Sequence, residues 1–151
     1  MPLADGDPAE PADTWLRVIT NDDYIKKDGT LAKNAFGGKA IAPPDPPRPW
    51  SLALSGGLLS LIADLQKYGT DFCGDAFVGY MFHKVEDLRN ADHATDVIFT
   101  PIIPRDPAHA DHVAYHLTVE SKYLLQEWLQ NIMLYVRQDR LDALEALRQA
   151  P

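Results

Sequence analysis

The chain has 151 residues, of which 46% are hydrophobic and 24% charged, a composition typical of one ordinary folded domain. Half of its net charge of −8 comes from Asp5, Asp7, Glu10 and Asp13, and its lysines and arginines form no basic stripe, so we expect no nucleic-acid partner. It contains a single cysteine and neither an apolar run of about 18 residues nor a signal-peptide core, which excludes an internal disulfide and predicts a cytoplasmic protein outside the membrane.

The N-terminal segment differs in composition from the rest of the chain. Residues 1–13 combine three prolines with four acidic residues and little apolar surface, so we predict a disordered acidic tail. Residues 14–151 are predicted to form a single α+β domain. Within it, residues 42–49 hold five prolines and are expected to form a stiff surface loop, although their PxxP spacing also occurs in ligands of polyproline-binding domains.

Several apolar runs predict the sheet. Residues 14–20 (TWLRVIT) are β-branched and aromatic, residues 77–82 (FVGYMF) are apolar on both faces, and residues 96–100 (DVIFT) end at a proline. Residues 50–54 suit a further short strand, and helices are predicted at 57–67 and 85–91. We therefore predict a mixed or mainly antiparallel sheet of about five strands.

Three of the five histidines lie in residues 106–116 (DPAHADHVAYH). On a helix, His109, His112 and His116 would form one stripe able to bind a metal. The alternation of apolar residues from Val113 onwards favours a strand instead, in which His112 and His116 would lie about 13 Å apart, too far to share one ion. We predict no metal site and no cofactor, with His109, His112 and His116 left as candidates for acid–base or binding roles.

Arg17 is the other candidate for chemistry. It shares a strand face with apolar neighbours, and its guanidinium is suited to hold a phosphate or a carboxylate. The alternative is a structural ion pair with Asp22, Asp23 or another carboxylate.

Arg17, a middle serine (Ser51 or Ser55) and the late acid Glu120 are similar to the Arg, Ser and Glu trio of small ADP-ribosyltransferase-like and RES-type domains that consume NAD. The trio covers no continuous motif, and it assigns the chain to no family. What this resemblance implies is an NAD-type site that includes Arg17.

A long amphipathic helical segment is predicted at the C-terminus. Apolar residues repeat at intervals of three and four over 119–136, and a second segment follows Asp139. The first segment offers more aromatic and methionine surface than one helix face needs, which is typical of interfaces. Its predicted partner-binding residues are Tyr123, Trp128, Ile132, Met133 and Tyr135, and the alternative is that both faces are buried within the monomer.

Two hypotheses for function follow. The first is a non-catalytic interaction protein or accessory subunit of a larger assembly, which docks to a protein partner or to a second copy through the C-terminal helical segment. The second is a small enzyme or ligand-binding domain with Arg17 and the histidine stretch at an anionic-ligand or NAD-type site. No complete catalytic motif decides whether the chain is an enzyme.

Overall fold

The computed structural model describes residues 3–36, 39–41, 51–89, 95–115 and 119–149. Within these ranges the strands are β1 (Thr14–Ile19), β2 (Lys39–Ile41), β3 (Ser51–Leu58), β4 (Gly79–Lys84), β5 (Thr95–Phe99), β6 (His109–Tyr115) and β7 (Leu134–Arg137). The α-helices are α1 (Leu65–Cys73), α2 (Val85–Leu88), α3 (Val119–Ile132) and α4 (Asp142–Gln149). The predicted proline-rich loop at 42–49 and His116 lie outside the described residues.

The strands form one sheet in the order β5-β6-β3-β1-β4-β7, with β2 paired beside them to β3. All of the described pairings are antiparallel. The α+β class therefore agrees with the sequence pattern. The prediction of about five strands was too low, because β2 and β7 are short pieces of three and four residues that carry little periodic signal.

The prediction of a long C-terminal helical segment is wrong. Helix α3 ends at Ile132, the chain continues as β7 along the edge of β4, and only the eight-residue α4 follows. Tyr135 and Val136 follow Ile132 at the helical spacing of three and four, but aromatic and β-branched residues also suit a strand. Pairing of Val136 with Tyr80 in the sheet decides between the two.

The helix predicted at 57–67 is also wrong in position. Its first residues belong to β3, and α1 starts at Leu65, where the Asp64 side chain accepts a 3.1 Å hydrogen bond from the Lys67 amide. This N-cap satisfies one of the free amides of the first turn. Because α1 starts at Leu65, Tyr68 and Phe72 lie on this helix beside the sheet.

Two apolar clusters cover the two faces of the sheet. One contains Trp15 and Ile19 of β1 with Leu125, Leu129 and Met133 around α3. The other contains Leu16 and Tyr80 of the sheet with Leu65 of α1 and Leu144 of α4. The alternation of side chains along β1 sends consecutive residues to opposite clusters, so this strand is buried on both sides.

The N-terminal segment, which we predicted to be a disordered tail, runs along the outer edge of β5 in the structure. The Gly6 amide bonds the Phe99 carbonyl at 2.8 Å, and the Ala9 amide bonds the Val97 carbonyl at 2.9 Å. Ala9 is buried, and Leu3 packs against the first cluster. The division of the chain into a tail and one domain stays a prediction, and a deletion that tests it is given in the Discussion.

Candidate ligand-binding cleft

An opening in the sheet lies where β3 changes its partner. On one edge β3 pairs with β6 over residues 51–57, whereas on the other edge it pairs with β2 at 51–53 and with β1 at 57–58. Residues 54–56 therefore have no strand partner on this second edge in the described part of the chain. Such an interruption leaves backbone groups that a side chain, water or ligand must satisfy.

A glycine brings β3 close to β1 at one end of this opening. A Cβ atom added to Gly56 would lie 2.2 Å from the Leu16 carbonyl oxygen and 2.5 Å from the Trp15 ring. Only a residue without a side chain fits at that distance. The two strands pair at Gly57 and Leu58, and Gly56 is the last residue of the unpaired stretch.

The Arg17 side chain bridges the opening. Its Nη1 donates a 2.8 Å hydrogen bond to the carbonyl oxygen of Ser55. Arg17 takes part in none of the ion pairs found between described residues. The expected alternative, an ion pair with Asp22 or Asp23, is therefore not formed, and Asp22 pairs instead with Arg137 at 3.4 Å.

Burial lowers the pKa of Arg17, while electrostatic interactions with Tyr24 and Asp111 act in the opposite direction. A guanidinium remains charged even after such a shift, because its ordinary pKa lies far above neutral. The half-buried Arg17 is thus a cation with a backbone carbonyl as its hydrogen-bond partner.

Two adjoining cavities follow from this arrangement, and together we call them the Arg17 cleft. The inner cavity has a volume of about 130 Å³, and its polar lining residues are Arg17, Thr20, Tyr24, Ser55, Tyr68, Asp106 and His109. The outer cavity measures about 390 Å³ and shares Ser55, Tyr68, Phe72, Asp106 and His109 with the inner one. The cleft is therefore a narrow chamber that contains both charged and apolar groups and continues into a wider mouth.

Tyr68 of α1 and Asp106, in the connection between β5 and β6, form one side of the cleft. The Tyr68 hydroxyl lies 2.9 Å from both carboxylate oxygens of Asp106 and donates to that carboxylate. Burial, followed by the negative charge of Asp106, raises the pKa of Tyr68. The phenol therefore stays protonated and keeps Asp106 in place.

Thr100 holds the His109 ring on one side. Nδ1 of His109 lies 2.9 Å from both the carbonyl oxygen and the hydroxyl of Thr100, and because the carbonyl can only accept, we assign the proton to Nδ1. In the neutral ring Nε2 is then left as an acceptor, 3.7 Å from Asp111. This arrangement leaves one histidine nitrogen able to accept a proton or a hydrogen bond in a cleft that also contains Arg17.

The structure separates the three candidate histidines. His112 points to the opposite face of β6 from His109, is 2% exposed, and lies between the rings of Trp15 and Trp128. Its Nε2 is 3.3 Å from the Leu88 carbonyl oxygen, and burial lowers its pKa to about 4. His112 therefore does not share the cleft with His109, because β6 is an inner strand of the sheet and His112 is buried on its other face.

The mouth of the cleft carries exposed apolar side chains beside charged ones. Phe72 of α1 is 57% exposed, and Ile102, in the connection between β5 and β6, is 42% exposed. Both line the outer cavity together with Arg105 and Asp71. Exposed apolar side chains at a concave polar site are typical of places where a ligand is bound.

The residues predicted to bind a partner lie in different environments. Tyr123 is 62% exposed and its neighbour Leu124 is 53% exposed. Met133 is buried, and the remaining three, Trp128, Ile132 and Tyr135, are partly buried and pack against the first cluster. Most of the apolar surplus of this segment is thus used within the monomer, while Tyr123 and Leu124 near its start and Leu134 near its end face outwards.

Sequence reasoning identified Arg17 and His109 but missed Tyr68, Phe72 and Asp106. The first two lie in α1 beyond residue 67, where the predicted helix ended, and Asp106 lies in the histidine stretch, in which only the histidines were named as candidates. Of the Arg, Ser and Glu trio, Arg17 and Ser55 line the inner cavity, while the side chain of Glu120 is outside the described set. An acid next to Pro107, close in sequence to a histidine, was the available signal for Asp106.

Comparison with known protein families, with characterised proteins and with solved structures finds no match for this chain. Among the described residues, no group of three or more histidine, cysteine, aspartate or glutamate side chains is placed to hold a metal ion. In the same ranges, none of the helices has the length and apolar character needed to cross a membrane. The function must therefore be argued from the cleft itself.

Proposed function

We propose that this chain binds small organic molecules that carry a carboxylate or phosphate group, and that Arg17 holds this group. The observation that carries the proposal is a half-buried guanidinium that lines a cavity and has no carboxylate partner within the described residues. Removing a charge from water is costly unless an opposite charge replaces the lost hydration. An oxyanion supplies that charge and also matches the planar, forked geometry of the guanidinium.

His109 adds a second capacity to the proposed site. Because the Thr100 carbonyl holds the proton on Nδ1, Nε2 accepts a hydrogen bond from a ligand hydroxyl or from a water beside the bound anion. Asp111 stabilises the protonated ring if that proton is transferred. An anion holder and a proton acceptor in one cleft are suited to general-base chemistry as well as to binding.

The test is calorimetric titration of the whole protein with inorganic phosphate and with phenylpropanoate. We expect saturable binding of at least one of them, weakened about tenfold or more in Arg17→Gln because a charge-assisted pair is lost. Arg137→Gln is the matched control, because Arg137 is exposed and already paired with Asp22. Absence of binding by both probes, or equal weakening by the two variants, contradicts the proposal.

Docking to a protein partner is the second candidate function, and the exposure of Tyr123 and Leu124 on α3 favours it. It predicts a homo-oligomer or a complex that the double variant Tyr123→Ala, Leu124→Ala dissociates. Light scattering after size exclusion measures the oligomer directly, and a monomer at high concentration argues against self-association. The cytoplasmic compartment stays a prediction from the sequence.

A further inference from the structure

The inner cavity contains one cation and one anion that do not pair with each other. Arg17 donates to the Ser55 carbonyl, whereas Asp106 accepts from the neutral Tyr68 hydroxyl. Neither side chain takes part in an ion pair with any residue in the described ranges. Both nevertheless line the same volume of about 130 Å³.

We propose that the ligand is a zwitterion with an apolar side chain, an amino acid of the aromatic type or a close derivative. Its carboxylate lies on Arg17, its ammonium lies on Asp106, and its side chain extends between Phe72 and Ile102. This inference rests on the proposed function, because it requires the oxyanion site at Arg17.

Charge balance favours a zwitterion over a simple anion. Asp106 lines the same cavity as Arg17, and the charge of Asp111 also acts on Arg17. A ligand that is only negative gains at Arg17 but is repelled by Asp106. An ammonium group converts that repulsion into a charge-assisted hydrogen bond. The Tyr68 hydroxyl leaves further acceptor capacity on the Asp106 carboxylate, since each of its oxygens has more than one lone pair.

The outer cavity has room for the side chain of the ligand. With a volume of about 390 Å³ it is larger than the roughly 150 Å³ cavity that suffices to hold benzene. Phe72 and Ile102 expose apolar surface at this level, and an aromatic ring on the ligand removes that surface from water. Arg17 and Asp106 of the inner cavity and the exposed Phe72 and Ile102 at the mouth thus correspond to the two ends of one small molecule.

Four probes separate the three contacts without any mutation. Phenylalanine has all three groups, phenylpropanoate lacks the ammonium, phenethylamine lacks the carboxylate, and alanine lacks the ring. We expect phenylalanine to bind about tenfold more tightly than phenylpropanoate, which is the effect of one charge-assisted hydrogen bond. Phenethylamine and alanine are both expected to bind more weakly than phenylalanine.

Variants then assign each contact to a residue. Asp106→Asn keeps an acceptor for Tyr68 and should abolish the advantage of phenylalanine over phenylpropanoate. Asp71→Asn is the matched control, because Asp71 lines the outer cavity but not the inner one and pairs with Lys67 at 2.7 Å. Phe72→Ala should reduce the advantage of phenylalanine over alanine, whereas Leu147→Ala, at an exposed leucine of α4, should not.

The outcomes distinguish the two proposals. If neither phosphate nor phenylpropanoate binds in an Arg17-dependent manner, the oxyanion site itself fails. If phenylpropanoate binds through Arg17 but phenylalanine binds no more tightly, the zwitterion inference alone is overturned. An advantage of phenylalanine that persists in Asp106→Asn also overturns it.

Discussion

The Arg17 guanidinium and the Ser55 carbonyl oxygen are joined by a 2.8 Å hydrogen bond across the opening between β1 and β3. A side chain thus occupies the position that a backbone amide holds in an uninterrupted ladder. Ser55 is exposed, so water can satisfy the same carbonyl when the side chain is changed. The fold therefore does not require the Arg17 side chain, which is better explained as part of a ligand-binding site.

Arg17→Gln should fold normally. We expect its free energy of unfolding to fall by no more than about 1 kcal/mol, because a partly solvated hydrogen bond contributes little. Urea denaturation followed by circular dichroism measures this loss. A loss of several kcal/mol would instead assign Arg17 a structural role and would weaken the argument for a ligand.

Gly56→Ala should destabilise the protein strongly. The added methyl group meets the Leu16 carbonyl and the buried Trp15 ring, so β1 and β3 have to move apart. We expect a loss of about 2 kcal/mol or more, in the range of overpacked cores. Ser55→Ala is the control, and at this exposed position it should change stability by about 0.5 kcal/mol at most.

His112 makes the stability depend on pH. Its pKa is lowered from 6.5 to about 4 in the folded protein, so the unfolded chain binds a proton at a higher pH than the folded one. The stabilising contribution is complete above pH 6.5 and is lost as the pH falls towards 4, a change of about 3 kcal/mol. Denaturant titrations at a series of pH values measure it.

The matched variant for this prediction is His112→Gln, which keeps a donor for the Leu88 carbonyl but does not titrate. As the pH is lowered from 6.5 to 4, the free energy of unfolding of the wild type should fall relative to that of this variant. A difference that stays constant across this interval would show that His112 is not the group responsible.

Deletion of residues 2–9 tests whether the N-terminal segment belongs to the domain. The segment bonds the edge of β5 through Gly6 and Ala9, so we expect a loss of about 1 to 3 kcal/mol on deletion. If the segment were a disordered tail, its deletion would leave the free energy of unfolding unchanged. Protection of the Ala9 amide from hydrogen exchange gives an independent readout in the full chain.

The parts of the fold that follow from sequence are those with strong local patterns. The β-branched run around Arg17 is a strand, and the alternation after His109 forms β6. The residues of β7 satisfy both a helical and an extended pattern, and pairing with β4 decides between them. Local propensity carries no information about such a distant partner.

The site was only partly accessible from sequence for the same reason. Arg17 and His109 attract attention as single residues, whereas the contact of Tyr68 with Asp106 joins positions 38 residues apart. The buried environment of His112 likewise depends on Trp128 from another element. Residue type indicates chemistry, but the sheet order decides which side chains share a cavity.

The most direct test of the oxyanion site is a titration of the full-length protein with phenylpropanoate, followed by the guanidinium resonances of Arg17 in NMR spectra. We predict that these resonances shift saturably, together with the backbone amides of Ser55 and Gly56, while those of Arg137 do not. Arg17 resonances that do not respond, or equal shifts at both arginines, would contradict the account.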